Sequence, residues 1–263
     1  MSKRISCCGP SQTVSVGIVA YNTPICELQQ TATSVAASSV GIQIIILCNS
    51  SSPEYNEAIQ KTFQHTNFKL MLNHENKGFG FAHNEIIAAV NSQWYVCCNP
   101  DISVEPESIA KLLDFGSVTP DAVLIMPRII NKNGTLQKVV RRHLTLKNWI
   151  ERQIERLFPN IIDTYENKFD YYRNQSVEFV SGAFFICRTE KLKILNGFCT
   201  DFFLYYEDAD LSRRASSLGQ NYYVADAVVA HAWGKAWARS PSATFRQVIS
   251  ALKYFRRHGF FSN

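Results

Sequence analysis

Apolar residues along this chain fall into two patterns: short unbroken runs, and longer stretches where they return every three or four positions. TVSVGIVAYN (13–22), IQIIILCN (42–49), FKLMLNH (68–74) and QWYVCCNPD (93–101) are of the first kind. That is the pattern of strands covered on both faces. ELQQTATSVAAS (27–38), EYNEAIQKTFQ (54–64), EIIAAVNS (85–92) and VEPESIAKLLDFG (104–116) are of the second kind and predict helices. ENKGFGFAHN (75–84) is Gly-rich and reads as the loop that opens the third helix. Strands alternating with helices at this spacing predict a parallel sheet with right-handed crossovers, a nucleotide-binding α/β half over 13–116.

The second half is less regular. AVLIMPRII (122–130) predicts a strand and NKNG (131–134) a turn. QKVVRRHLTLKNWIERQIERLF (137–158) is basic and amphipathic, helical in its later part. EFVSGAFFICRTEKLKILNGF (178–198) reads as a strand and then a helix closed by Gly197. FFLYYEDADLSRRASSLG (202–219) carries acids near a helix start with Arg213 and Arg214 a turn later. NYYVADAVVAHAWG (221–234) is a strand ending at His231.

Composition narrows the class. With 263 residues, 46% hydrophobic and 19% charged, the chain is a globular α/β domain rather than a disordered one. A net charge of +5 suits an anionic ligand or an anionic membrane surface. It lacks the charge blocks of a nucleic-acid binder, and that class is set aside. The eight cysteines include the adjacent pairs Cys7-Cys8 and Cys97-Cys98 but no CxxC at zinc spacing. They fit buried thiols in a reducing cytoplasm. No run approaches the about 18 apolar residues of a membrane span, and MSKRISCCGPSQ lacks the apolar stretch of a secretion signal. Membrane contact is therefore expected only from the periphery.

Two polar groups carry candidate chemistry. Asn99-Pro100-Asp101 is a turn tripeptide, yet it stands behind a buried strand, where open α/β sheets bind ligands. Glu207, Asp208 and Asp210 fit an acidic first helical turn, and equally a general base.

The ordered segments IVAYN, LCNSSS, NKGFGFAHN, NPDI and FFLYYEDADLSRR, followed by HAWG, resemble the family 2 glycosyltransferases with a GT-A fold. The resemblance covers about 14–234 and is strongest to the bacterial rhamnosyltransferase-like branch, which builds lipopolysaccharide O-antigen and related polysaccharides. It implies a Rossmann-like, mostly parallel sheet flanked by helices with a mixed acceptor half over 117–240, all one domain, and a basic aromatic helix over 241–263. It also implies inverting transfer of a sugar from a nucleoside diphosphate donor, with dTDP-rhamnose favoured, to an acceptor on a polyprenyl diphosphate or other glycan.

Residue by residue, Asp101 and His231 correspond to ligands of Mg²⁺ or Mn²⁺. Asn99 stands where the family's first acid would be. Asp208 corresponds to the general base, with Glu207 as alternate. Ala20, Tyr21 and Asn22 flank the base of the nucleotide, and Asn49 follows the second strand, where Cys48 replaces the usual Asp. Gly78, Phe79 and Gly80 are expected to let backbone approach the donor, Asn84 to contact ribose or base, and Gly182 to lie against the sugar. Tyr205, Tyr206 and Trp233 are expected to stack on the acceptor. The tail 245–261 suits either a helix on an anionic inner leaflet or one packed on the domain. A glycan-binding subunit that keeps the fold without transfer is the alternative function.

Overall fold

The computed structural model describes residues 13–49, 52–158, 161–232 and 241–261. Trp233, expected at the acceptor, lies outside the described residues, as do the N-terminal twelve with Cys7 and Cys8.

The predicted alternation is present. Strands β1 (Val14–Ala20), β2 (Ile42–Asn49), β3 (Lys69–Asn73) and β4 (Trp94–Cys98) alternate with helices α1 (Ile25–Ala36), α2 (Pro53–Phe63) and α3 (Phe79–Ala89). These four strands are mutually parallel in the order β3-β2-β1-β4. The chain continues through β5 (Ile102–Val104), α4 (Ser108–Val118), β6 (Ala122–Ile130), α5 (Leu146–Leu157), α6 (Tyr165–Lys168), β7 (Gln175–Val177), β8 (Phe184–Arg188), α7 (Thr189–Ile194), α8 (Glu207–Ala215) and β9 (Gln220–His231). It ends in α9 (Pro241–His258). The sheet extends beyond β4 through β8, β6, β9 and β5, with β7 also on β9. β4 is thus paired in parallel with β1 and antiparallel with β8, so strand direction reverses at its far side.

Helices cover both faces. Leu28, Ala32 and Val35 of α1, Ile59 and Phe63 of α2, and Ile109 and Leu112 of α4 fill one face. Ala82, Ile86 and Ile87 of α3, Leu192 of α7, and Leu211 and Ala215 of α8 fill the other. The unbroken apolar strands follow from this double cover. β4 is buried at every residue, each large side chain contributing about 1.5–3 kcal/mol. A third cluster, with Leu144, Phe179 and Phe202, receives Ala251, Tyr254 and Phe255 of α9. The tail therefore packs on the domain with one face.

Four boundaries differ from the sequence pattern. α3 begins at Phe79, so Phe79–Asn84 is helix rather than loop, with Gly78 at its cap at φ +104°. Residues 102–104 form β5, because Ile102 and Val104 pair with His231 and Val229, and α4 starts later at Ser108. The strand read from 178 onward is regular only over β8. β7 and α6 have three and four residues, too short for a periodic signal.

Candidate functional site

The tripeptide behind β4 is fixed on three sides. The Asn99 N–H donates to the Ala183 carbonyl at 2.9 Å, and the Pro100 carbonyl accepts from the Thr31 hydroxyl of α1 at 2.8 Å. The Asp101 carbonyl accepts from the Ala232 N–H at 3.0 Å. The Asp101 side chain remains partly exposed beyond the carboxyl end of the sheet. There its Oδ1 lies 3.3 Å from His231 Nε2. The pairing of Ile102 with His231 across β5 and β9 sets this contact.

Gln137 orients the imidazole. Its Nε2 donates to the His231 carbonyl and to Asn131 Oδ1, both at 2.9 Å, which turns its Oε1 toward His231 Nδ1 at 3.3 Å. Nδ1–H therefore donates, and the Nε2 lone pair faces the Asp101 carboxylate. A cation satisfies two acceptors so placed. This donor set fits a hard divalent ion held by one carboxylate and one imidazole and completed by ligand oxygens. Among the described residues no group of three His, Cys, Asp or Glu is placed to hold a metal.

At the same end of the sheet, α8 presents its first turn to the loop before β8. Glu207 is buried, and its Oε2 has no hydrogen-bond partner among the described residues. Asp208 is partly exposed. Its Oδ2 accepts from the Gly182 N–H at 3.1 Å and its Oδ1 from the Ala209 N–H at 2.9 Å. Burial pushes both carboxyls up, and the Asp208 charge pushes Glu207 further. The Gly182 N–H and the Arg141 guanidinium pull Asp208 back toward the ionised form. Two adjacent carboxyls in different environments divide into an acid held neutral and a carboxylate able to take a proton.

The approach to α8 is strained. Tyr205 and Tyr206 both adopt left-handed backbone, φ +70° and +66°, costing about 1–3 kcal/mol each. α9 and α5 brace this turn. Ser250 Oγ donates to the Leu204 carbonyl at 2.8 Å, and Trp149 Nε1 donates to the Tyr206 hydroxyl at 3.0 Å. The Tyr206 ring packs on the α9 cluster. Its expected stacking on an acceptor sugar thus competes with a bracing contact. Tyr205 is half-buried in the same turn.

Of the remaining expected residues, Phe79 comes near Gly182, at the edge of the acidic pair. Gly78 does not open toward a ligand, because a side chain there would collide with the Phe203 carbonyl, which also accepts from the Phe79 N–H at 3.1 Å. Gly80 is likewise closed, with Phe198 where its Cβ would lie. Asn84 uses both ends of its amide on Phe198, donating to the carbonyl and accepting from the N–H at 2.8 Å each. That latch takes the groups expected to meet ribose or base. Asn49 is buried and donates to Asn76 Oδ1 at 2.9 Å, tying the end of β2 to the loop before α3. Tyr21 and Asn22 are exposed at the end of β1, after the buried Ala20. Asp210, expected as a helix-start residue, is buried and holds Arg214 at 2.7 Å, His258 at 2.8 Å and Arg257 at 3.0 Å, which docks α9 onto α8.

Gln137 and Arg141 were not singled out by sequence pattern. Both sit in the basic 137–158 stretch, where periodicity shows a helix face and not a neighbour.

The fold is that of the GT-A glycosyltransferases. GalNAc-T7 with UDP, GalNAc and Mn²⁺ superposes with a TM-score of 0.69 at 16% identity, covering 93% of this chain and 48% of that one. The mannosyltransferase PcManGT of Pyrobaculum calidifontis, in complex with GDP-Man and Mn²⁺, gives 0.63 at 14%, covering 95% and 65%. The chain belongs to glycosyl transferase family 2, whose sequence profile matches residues 15–195. It is also 26% identical over 200 residues to the N-acetylglucosaminyl-diphospho-decaprenol L-rhamnosyltransferase of Mycobacterium tuberculosis, matched in two strains. That match covers 68% of this chain and 64% of the relative, so the chain spans under two thirds of the curated relatives it resembles.

Proposed function

We propose that the protein transfers a sugar, with inversion, from a nucleoside diphosphate donor to a glycan on a polyprenyl diphosphate, as in cell-surface polysaccharide synthesis. L-Rhamnose from dTDP-L-rhamnose is the favoured donor, supported by the rhamnosyltransferase named among the relatives. The observation that carries the reading is the Asp208 carboxylate held by the Gly182 N–H, with the Asp101–His231 pair on the same end of the sheet.

Asp208 accepts the proton of the acceptor hydroxyl as that oxygen bonds to C1 of the donor sugar. The C1–O bond to the diphosphate breaks, and its electron pair leaves with the nucleoside diphosphate. Asp101 and His231 would hold Mg²⁺ or Mn²⁺, which would supply positive charge to the departing diphosphate. Asn99 and Gly182 border the donor sugar, and Ala20, Tyr21 and Asn22 border the nucleotide base. Glu207, neutral and buried behind Asp208, keeps the negative charge of the pair on the outer carboxylate.

α9 supports a peripheral seat on an anionic leaflet. Phe245, Val248, Ile249 and Leu252 are exposed at i, i+3, i+4 and i+7, flanked by the exposed Arg246, Lys253 and Arg256. Among the described residues no helix is long and apolar enough to cross a membrane.

The test is donor consumption and transfer against a panel of nucleotide sugars with Mg²⁺ or Mn²⁺ and a lipid-linked acceptor extract. One donor is expected to be consumed, chelator to stop it, and Asp101→Ala to lose rate. No consumption, with nucleoside diphosphate still bound, would leave a binding subunit instead.

A further inference from the structure

The basic stretch read at 137–158 is not used by the transfer chemistry. The structure folds it around a cavity of roughly 260 Å³ between α5, α6 and the segment leading into α5. Arg141, Arg142, Arg152 and Lys168 line it. Glu151, Asp163 and Glu166 line it too, so four cations face three carboxylates.

We propose that this cavity is the subsite for the diphosphate of the lipid-linked acceptor. The proposal rests on the reading that the acceptor is diphosphate-linked, and it names where that group sits.

Lys168 pairs with Asp163 at 3.3 Å, but the three arginines are under-used by the protein itself. Glu166 lies 3.7 Å from Arg141 Nε and 4.0 Å from Arg152 Nε, beyond the 2.7–2.9 Å or so of a charge-assisted hydrogen bond. Arg141 Nε is buried with no hydrogen-bond partner among the described residues. Arg142 is exposed, stacks on the Tyr165 ring at 5.0 Å and has no carboxylate partner among the described residues. Among the described residues Arg152 hydrogen-bonds to Asn148, at 3.2 Å to its carbonyl and to Oδ1. Burial, and then repulsion from Arg141, pull the Arg152 guanidinium down to about 10. Gathering cations at such a cost suits a site completed by an added anion. Arginine forks match phosphate oxygens two at a time.

Position supports the same ligand. Arg141 acts on the charge of Asp208, and Trp149 ties α5 to Tyr206 directly before the acidic pair. Arg152 of the same lining also interacts with the Asp208 charge, so the cavity lies within electrostatic reach of that carboxylate. The outer face of α5 carries exposed Ile150, Ile154, Leu157 and Phe158 at i, i+4, i+7 and i+8, an apolar strip for the start of a prenyl chain.

Calorimetric titration with farnesyl diphosphate, farnesyl monophosphate and inorganic pyrophosphate tests this, with saturating dTDP and Mg²⁺ filling the donor site. Farnesyl diphosphate is expected to bind most tightly, and about tenfold or more weakly to Arg152→Gln and to the Arg142→Gln/Lys168→Gln double variant. The double variant changes two exposed residues, so it decides the matter if Arg152→Gln does not fold. Equal affinity in wild type and variants, or no binding by wild type, would overturn the subsite. Equal binding of pyrophosphate and farnesyl diphosphate would overturn its assignment to a lipid. Donor consumption by the same wild-type sample separates the two readings. Prenyl diphosphate binding without donor consumption keeps the subsite and ends the transferase proposal. Transfer with unaltered binding in the variants does the reverse.

Discussion

The Gly182 N–H meets Asp208 Oδ2 at 3.1 Å, and a side chain at Gly182 would place its Cβ 3.2 Å from the Asp208 Cβ. The carboxylate is therefore seated against backbone from the loop before β8. In Asp208→Asn an amide oxygen can still accept that N–H, so the geometry survives while the base is lost. We expect transfer to fall about 10²–10⁴-fold with nucleoside diphosphate affinity unchanged, read by product formation and calorimetry side by side.

Arg141 gives a pH prediction. Its charge favours the ionised form of Asp208 against burial, and the base works only when ionised. Removing the cation raises the pH needed for ionisation. The acidic limb of kcat against pH should move upward in Arg141→Gln. A downward shift or an unmoved limb would separate Arg141 from the base.

His83 predicts a stability slope. It is fully buried, with Nδ1 2.7 Å from the Tyr95 hydroxyl and Nε2 3.4 Å from Cys97 Sγ, and burial pulls its pKa down to about 3. The unfolded chain binds a proton near pH 6.5 that the folded chain refuses. This contribution is thus complete above about 6.5 and is lost as pH falls toward 3. At pH 5 the loss is about 2 kcal/mol. Chemical denaturation at pH 5 and 8 should show that difference, and His83→Gln should reduce it.

Asp210 predicts how α9 is held. Burial raises this carboxyl, but His258, Arg214 and Arg257 outweigh it and leave the pKa lowered. Its stabilisation is present above the unfolded carboxylate range and is lost as pH falls through the lowered value. Asp210→Asn should cost about 3 kcal/mol, by stranding partly buried cations. Hydrogen exchange should rise across α9 before it rises in β1 or β4.

The exposed stripe of α9 predicts lipid dependence. Co-sedimentation with vesicles containing anionic lipid should exceed that with neutral vesicles and fall with added salt. Leu252→Ser should weaken it without changing the melting temperature. Equal binding to both vesicle types would remove the electrostatic part of the peripheral reading.

The parallel half of the fold was legible because each strand is buried on both faces and reads as an unbroken apolar run, IQIIILCN most plainly. The start of α3 was not, because Gly78 and Gly80 signal a loop by composition. Here they serve close packing against Phe203 and Phe198 instead. At the site, Asp101, His231 and Asp208 stand out as polar residues at element ends. Asn84 stood out equally, yet its amide closes on Phe198, 114 positions away. Gln137 and Arg141 depend on similarly distant partners, which no local pattern encodes.

The reversal of strand direction at β4 has a consequence for how such a chain can diversify. The residues proposed for the donor nucleotide lie before Asp101, on the parallel side. Those proposed for the base and the acceptor diphosphate lie after it, around β8, α5 and α8. Mutation or recombination before that seam can alter the contacts to the nucleotide base while leaving those to the acceptor diphosphate intact. New glycosidic linkages can then arise by exchanging one half of a specificity at a time.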